Sequence, residues 1–250
     1  MTESSFSGVQ YFAKGLELIR RKGVRHFVIW PLLVNLIFLT TASIWLFNKL
    51  LEWKDQFYNW SWEWVQWLLD HLGWLIWPLM LIVIFIAVFY FFAMVANWIA
   101  APFNGLLSEA VERELTQDYT EQPTSMKDVV KDLPRIFKRE WKKFIYWAPR
   151  ALVCLLLFLI PMVNFVAPII WIIFSAWMMS IQYIDYPMDN HKVPFDNMLQ
   201  RLKQRKLGPF GFGGMVMMFT MIPVINLFVM PIAVAGATAL FVDHYRKDVL

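Results

Sequence analysis

Hydrophobic positions in this chain fall into long unbroken runs rather than stripes. Phe27 to Phe47 is 21 residues without a charge, and a further 37 uncharged residues run from Leu72 to Ser108. At about 1.5 Å per residue the first matches a hydrocarbon core of about 30 Å, while the second, near ~55 Å, crosses it and projects beyond. They predict span one and span two. Two later charge-free runs, Ala151 to Ile184 and Leu207 to Val242, have 34 and 36 residues and are interrupted near their centres. Ile160-Pro161-Met162-Val163-Asn164 is followed by Pro168, and Ile222-Pro223-Val224-Ile225-Asn226 is followed by Pro231. Proline removes a helix donor and clashes with the preceding turn. Broken backbone at membrane depth is tolerated where it is buried in protein or lines a water-filled cavity, so the duplicated break predicts a path across the membrane. The plainer alternative is that proline and asparagine mark ordinary turns between short spans.

The polar stretches complete the outline. Between the first two spans, Trp53, Trp60, Trp62, Trp64 and Trp67 crowd beside Phe57 and Tyr58, as expected of an amphipathic connection at the headgroup boundary. Stacking of a ligand on these rings is the alternative. From Glu109 to Arg150 the chain becomes charged and amphipathic, with Leu133, Ile136, Phe137, Phe144 and Ile145 among lysines and arginines; Pro123 and Pro134 predict its division into short cytoplasmic helices. Near the start, Phe12, Gly15, Leu16 and Ile19 predict an amphipathic surface helix over Gln10 to Lys22, with Gly23 permitting a sharp turn into span one.

Composition names the solvent. With 59% hydrophobic and 17% charged residues and a mean hydropathy of +0.48 over 250 residues, a water-soluble domain has too little polar surface to cover itself. The expectation is one integral membrane domain, residues 1–250, all-α, whose first span exceeds a signal-peptide core and is retained. Charge sets its topology. Of 23 basic residues only 2 lie between the first two spans; the others precede Phe27, occupy residues 109–150 and 185–206, or follow Val242. If each broken run crossed once, Lys192, Arg201, Lys203, Arg205 and Lys206 would face outward, against the positive-inside rule. Two full crossings need about 40 residues plus a turn. The runs 151–184 and 207–242 are therefore expected to be re-entrant helical hairpins, half-penetrating from the cytoplasmic side, with Asn164 and Asn226 near their tips.

Candidate chemistry is sparse. Cys154 stands alone within an apolar run, which excludes an intrachain disulfide and a cysteine-based metal cluster. His26, His71, His191 and His244 lack metal-ligand spacing, no nucleophile sits beside a base in a recognisable motif, and no Walker A pattern occurs. No catalytic residue, metal, cofactor or nucleic-acid partner is expected. Two constellations remain. At the entry to span one, the backbone N–H groups of Gly23, Val24 and Arg25 stand before a helix, with Arg25 and His26 as side-chain donors, which suits a tetrahedral oxyanion. Basic residues there also serve membrane insertion and anionic headgroups. At the inner end of span two, Glu109, Glu112 and Arg113 share a helical face and can hold arginines, gate a path or carry a proton; a solvated, salt-bridged helix end is the alternative.

The Gly-Leu-x-Leu-Ile stretch from Gly15, the Gly-x-Arg at Gly23, and the Pro-Phe-Asn-x-Leu-Leu-x-Glu-x-Val-Glu stretch from Pro102 resemble the CysZ family of bacterial sulfate permeases over nearly the whole chain. That resemblance implies an inner-membrane protein admitting sulfate for assimilation into cysteine, with hairpins that only partly penetrate the bilayer. It also implies sulfate at the turn that is Gly23, Val24, Arg25 and His26 here. An arginine is expected where His26 stands, so the second donor is only partly charged near neutral pH. Sulfate carries no proton to donate, which fits a site of N–H groups and arginine. Candidate pore or gate residues are Glu109, Glu112, Arg113, Asn164 and Asn226. Two full spans and two half-depth hairpins are too few to surround a hydrated path, so a homo-oligomer in the lipid bilayer is expected. A membrane scaffold recruiting a partner through its basic cytoplasmic helices is the competing function.

Overall fold

The computed structural model describes residues 5–116 and 126–249, and these form helices joined by turns, with no strand among the described residues. In chain order they are α1 (Ser5–Leu18), α2 (Arg25–Trp60), α3 (Glu63–Leu115), α4 (Met126–Leu157), α5 (Ala167–Asn190), α6 (Phe195–Gln204), α7 (Leu207–Thr220), α8 (Pro223–His244) and α9 (Arg246–Val249). Pro123 lies outside the described residues. The chain divides into two compact units, one holding Trp30–Ala100 and the other the remainder.

Within Trp30–Ala100 the helices outlast the charge-free runs. α2 has 36 residues and α3 has 53, because charged and aromatic residues beyond the apolar limits are still adequate helix formers. The connection between them is a tight turn at Ser61. The Ser61 N–H donates to the Phe57 carbonyl at 3.0 Å, and the Gln66 amide donates to the carbonyls of Tyr58 (3.1 Å) and Ser61 (3.2 Å). Trp60 and Trp62 project outward there, 84% and 74% exposed, as rings at a headgroup boundary do. Glu63–Ile86 and Ala167–Asn190 are the stretches, among the described residues, long and apolar enough to cross a bilayer.

The other unit is built on close helix crossings. α1 packs on α7 and α8, and α5 on α7. A Cβ on Gly15 would lie 2.2 Å from the Ile232 carbonyl oxygen and 2.8 Å from the Gly236 nitrogen, so the two backbones meet there without side chains between them. Small residues permit this approach, as in helix pairs packed in lipid. α1 stops at Leu18, short of the expected Lys22, and buries Phe12, Gly15 and Leu18, whereas Leu16 is 41% exposed.

Both predicted breaks are present. Between α4 and α5, residues 158–166 form successive turns in which Val163 and Asn164 both donate to the Ile160 carbonyl, and Met162 takes φ 69°. Between α7 and α8, Ile222 is extended (φ −95°, ψ 108°), the conformation a residue before proline prefers, and Pro223 opens α8 at a position that needs no donor. The second prolines behave differently. Pro168 sits in the first turn of α5, and Pro231 lies inside α8 without ending it.

α4 departs furthest from expectation, running unbroken for 32 residues through Pro134 and Pro149 instead of dividing at Pro134. Contacts to α5 hold the helix on the C-terminal side of Pro134. Arg139 donates from Nε (2.9 Å) and a terminal nitrogen (2.6 Å) to Asp185 Oδ1, and also to the Val193 carbonyl. Lys143 forms ion pairs with Glu140 at 2.5 Å and Asp185 at 3.2 Å, and lies 5.1 Å from the centre of the Tyr186 ring. Burial favours the neutral form of Lys143, but Asp185 and Glu140 outweigh it and hold its pKa above the ordinary lysine value. Further along α4, Cys154 is buried, at 8% exposure.

At the outer end of this contact, Asp132 accepts from Lys192 (2.5 Å) and Arg135 (3.0 Å), which pulls its pKa below the usual carboxylate range. A depressed carboxylate contributes stability above its unfolded pKa and loses it as pH falls through the folded one. The wild type is therefore expected to melt above Asp132→Asn at neutral pH, with the gap closing as pH falls below about 4. Parallel melting curves in detergent check this; a constant gap would dismiss the linkage. The effect is small, because the pair is largely exposed.

Candidate functional site

α1 ends and α2 begins within seven residues, and the backbone does so by short-range hydrogen bonds. The N–H groups of Arg20 and Arg21 donate to Glu17 and Leu18 at 3.2 and 3.1 Å, and those of Val24 and Arg25 both donate to the Arg21 carbonyl at 3.0 Å. Gly23 has no positive φ, so the sharp turn expected of it is made without left-handed backbone. Two of the N–H groups assigned to an oxyanion are thus already engaged. Those of Gly23 and His26 have no backbone acceptor among the described residues.

The side chains divide in the same way. Val24 is fully buried and anchors the turn, while Gly23, Arg25 and His26 are exposed. Arg25 makes no ion pair among the described residues, and the His26 ring lies 4.5 Å from that of Phe27. Arg21, by contrast, is held by Glu17 (3.1 Å) and Glu114 (3.3 Å), which raise its pKa. Glu114 comes from the end of α3, and one of its oxygens would lie 3.4 Å from a Cβ on Gly23. A carboxylate therefore borders the candidate anion site, its charge offset by Arg21. Sequence reading missed Glu114, since nothing in local spacing joins it to Gly23.

The inner end of α3 holds the second constellation, split between two partners. Glu109 accepts from Arg113 at 2.5 Å one turn along. Glu112 is fully buried and turns instead to His191 Nε2, 2.9 Å from both its oxygens, and to Arg246 Nε at 3.0 Å. His191 caps the end of α5 and stacks on Phe241 at 5.3 Å. One turn earlier, Ser108 bonds Thr238 at 2.8 Å, and the Asn104 amide donates to the Tyr186 hydroxyl at 3.1 Å. α3, α5 and α8 are thus joined by a line of polar contacts. His191 and Arg246 were legible only as scattered charges.

Asn164 and Asn226 do not join that line. Both side chains are exposed, Asn164 within the turn between α4 and α5 and Asn226 in the first turn of α8. Among the described residues no three histidine, cysteine, aspartate or glutamate side chains are grouped to hold a metal ion.

The described residues include two helical stretches, Glu63–Ile86 and Ala167–Asn190, long and apolar enough to cross a bilayer. Residues 11–231 match the family described as sulfate transporter CysZ/etoposide-induced protein 2.4. The chain belongs to that family, which is a family of transporters.

Proposed function

We propose that this protein is a permease admitting sulfate across the bacterial inner membrane, channel-like or ion-coupled, to supply cysteine and hence amino-acid biosynthesis. The observation that carries this is the family match over 11–231, which includes both the basic turn and the helix breaks. The site is the turn at Gly23, Val24, Arg25 and His26, reduced in its donors to the Gly23 and His26 N–H groups, the Arg25 guanidinium and the His26 ring. A transported ion must leave as readily as it arrives, and an exposed turn beside Glu114 holds a dianion loosely enough to release it. Glu109, Glu112 and Arg113 form the gate.

In this reading α4 with α5, and α7 with α8, are half-depth hairpins opening to the cytoplasm, and several copies assemble around the path. Support comes from α5 itself. Its 24 residues would reach about 36 Å, but the part from Ser180 to Met188 is buried and carries Asp185, leaving its first half to meet lipid. Asn164 and Asn226 are then tip residues facing the path in the assembly.

Labelled-sulfate flux into proteoliposomes, with and without a proton gradient, tests the reading. The wild type should exceed empty vesicles, Arg25→Ala should lose at least about tenfold, as expected when a charge-assisted contact of ~1.5–3 kcal/mol is removed, and Asn226→Ala should lower flux less. No flux above empty vesicles would end the proposal, and unchanged flux in Arg25→Ala would move the site elsewhere.

A further inference from the structure

α4 is amphipathic in reverse. Its charged residues Arg139 and Lys143 are 9% and 4% exposed and point into the protein, while Phe137, Trp141, Phe144 and Ile145 are 45–59% exposed and point out. At about 100° per residue these four fall on one face, which continues into Leu152 and Leu155 towards the break before α5. The Trp141 and Phe144 rings stack at 5.3 Å, giving that face a continuous aromatic surface. Along one flank of the same face run Lys127, Lys131, Lys138 and Lys142, all exposed. Exposed aromatic rings in contiguous order are costly in water and need a cover.

We propose that this face of α4 is a binding surface for anionic lipid, with the rings of Phe137, Trp141 and Phe144 entering the upper acyl region and the lysine flank contacting headgroup phosphates. Two features favour lipid over a protein partner. The lysines border the aromatic strip on one side only, as a helix needs when one flank meets headgroups and the other packs on its own protein. The strip also runs without interruption into the exposed apolar residues preceding the break, so water-facing and lipid-facing surface are not separated by any polar girdle. The charged inward face fits the same arrangement, because Asp185, Asp189 and Glu140 neutralise Arg139 and Lys143 away from the lipid. This inference needs the membrane setting of the family but not the sulfate site, and stands whether or not the basic turn takes sulfate.

The test uses the full chain, with Cys154→Ser, carrying a nitroxide at Phe137→Cys or Phe144→Cys, in vesicles of phosphatidylcholine with or without phosphatidylglycerol. Both labels should be reached by oxygen in preference to a water-soluble nickel complex, whereas a label at Lys247→Cys should show the reverse. In the same vesicles, Lys138→Gln with Lys142→Gln should lower the enrichment of phosphatidylglycerol around the protein by about thirtyfold, since each lysine near an anionic surface contributes ~1 kcal/mol. Equal access of the nickel complex to all three labels would overturn the proposal. Strong spin–spin broadening between copies would assign the face to self-association and overturn it too, and lipid enrichment unaltered by the lysine changes would remove its anionic specificity.

Discussion

Asp185→Ala is expected to destabilise the protein by about 3–5 kcal/mol, the cost of leaving buried partners of an ion network uncompensated. Asp185 is 2% exposed and offers one oxygen to Arg139 and the other to Lys143, both nearly buried themselves. Glu140 stays beside Lys143 and Asp189 lies 3.3 Å from Arg139, but neither replaces the central carboxylate. Against a typical stability of about 5–15 kcal/mol, this is enough to detach α4 from α5. Asp185→Asn keeps the shape and an acceptor and should cost less. Replacing all three members by apolar residues of similar volume should recover much of the loss, because the attraction among buried charges mainly offsets their own desolvation. Melting of the purified protein in nanodiscs reads all three variants. A midpoint for Asp185→Ala within a degree or two of wild type would show the network to be dispensable.

The second large effect is expected at Gly15. Any side chain there meets backbone on α8, at 2.2 Å for the Ile232 oxygen and 3.0 Å for the Gly236 Cα, and backbone cannot rotate aside as a flexible side chain can. Overpacking of this kind costs about 1–3 kcal/mol or more. Gly15→Val should push α1 off α7 and α8, expose Phe12 and Leu18, and move the turn at Gly23 that α1 leads into. Gly236 faces the reciprocal contact, its Cβ position lying 2.4 Å from the Tyr11 oxygen, so Gly236→Val should do the same from the other side. Limited proteolysis within residues 5–22 is the direct readout. If both variants resist protease like the wild type, the crossing is looser than its geometry implies.

What could be read in advance followed chemistry local in sequence. The breaks at Pro161 and Pro223 were legible because proline removes a donor from its own turn, and the apolar part of α3 because a bilayer-length stretch shows as an absence of charge. The ends of α2 and α3 were not, since a helix persists into polar sequence once nucleated. Glycine at position 23 marked a sharp turn, which consecutive short-range hydrogen bonds make without left-handed backbone, and glycine at position 15 proved to matter for proximity. The paired charges were beyond reach for a different reason. Glu112 meets Arg246 across 134 residues and Arg139 meets Asp185 across 46, separations that no helical period encodes. The same blindness hid the orientation of α4: an amphipathic pattern marks two faces but does not say which one the protein keeps.

That orientation also puts a schedule on biosynthesis. Arg139 leaves the ribosome 46 residues before Asp185 can pair with it, and Lys143, though beside Glu140, 42 residues before its own contact with Asp185. At about 5–20 residues per second this is a wait of some seconds. A nascent α4 cannot complete its inward ion network during that interval, and under the lipid-binding proposal its aromatic face is the part that would rest on the membrane first. On the proposed lipid-binding reading, the chain would dock before it folds, with α5 arriving as the element that closes an already positioned helix.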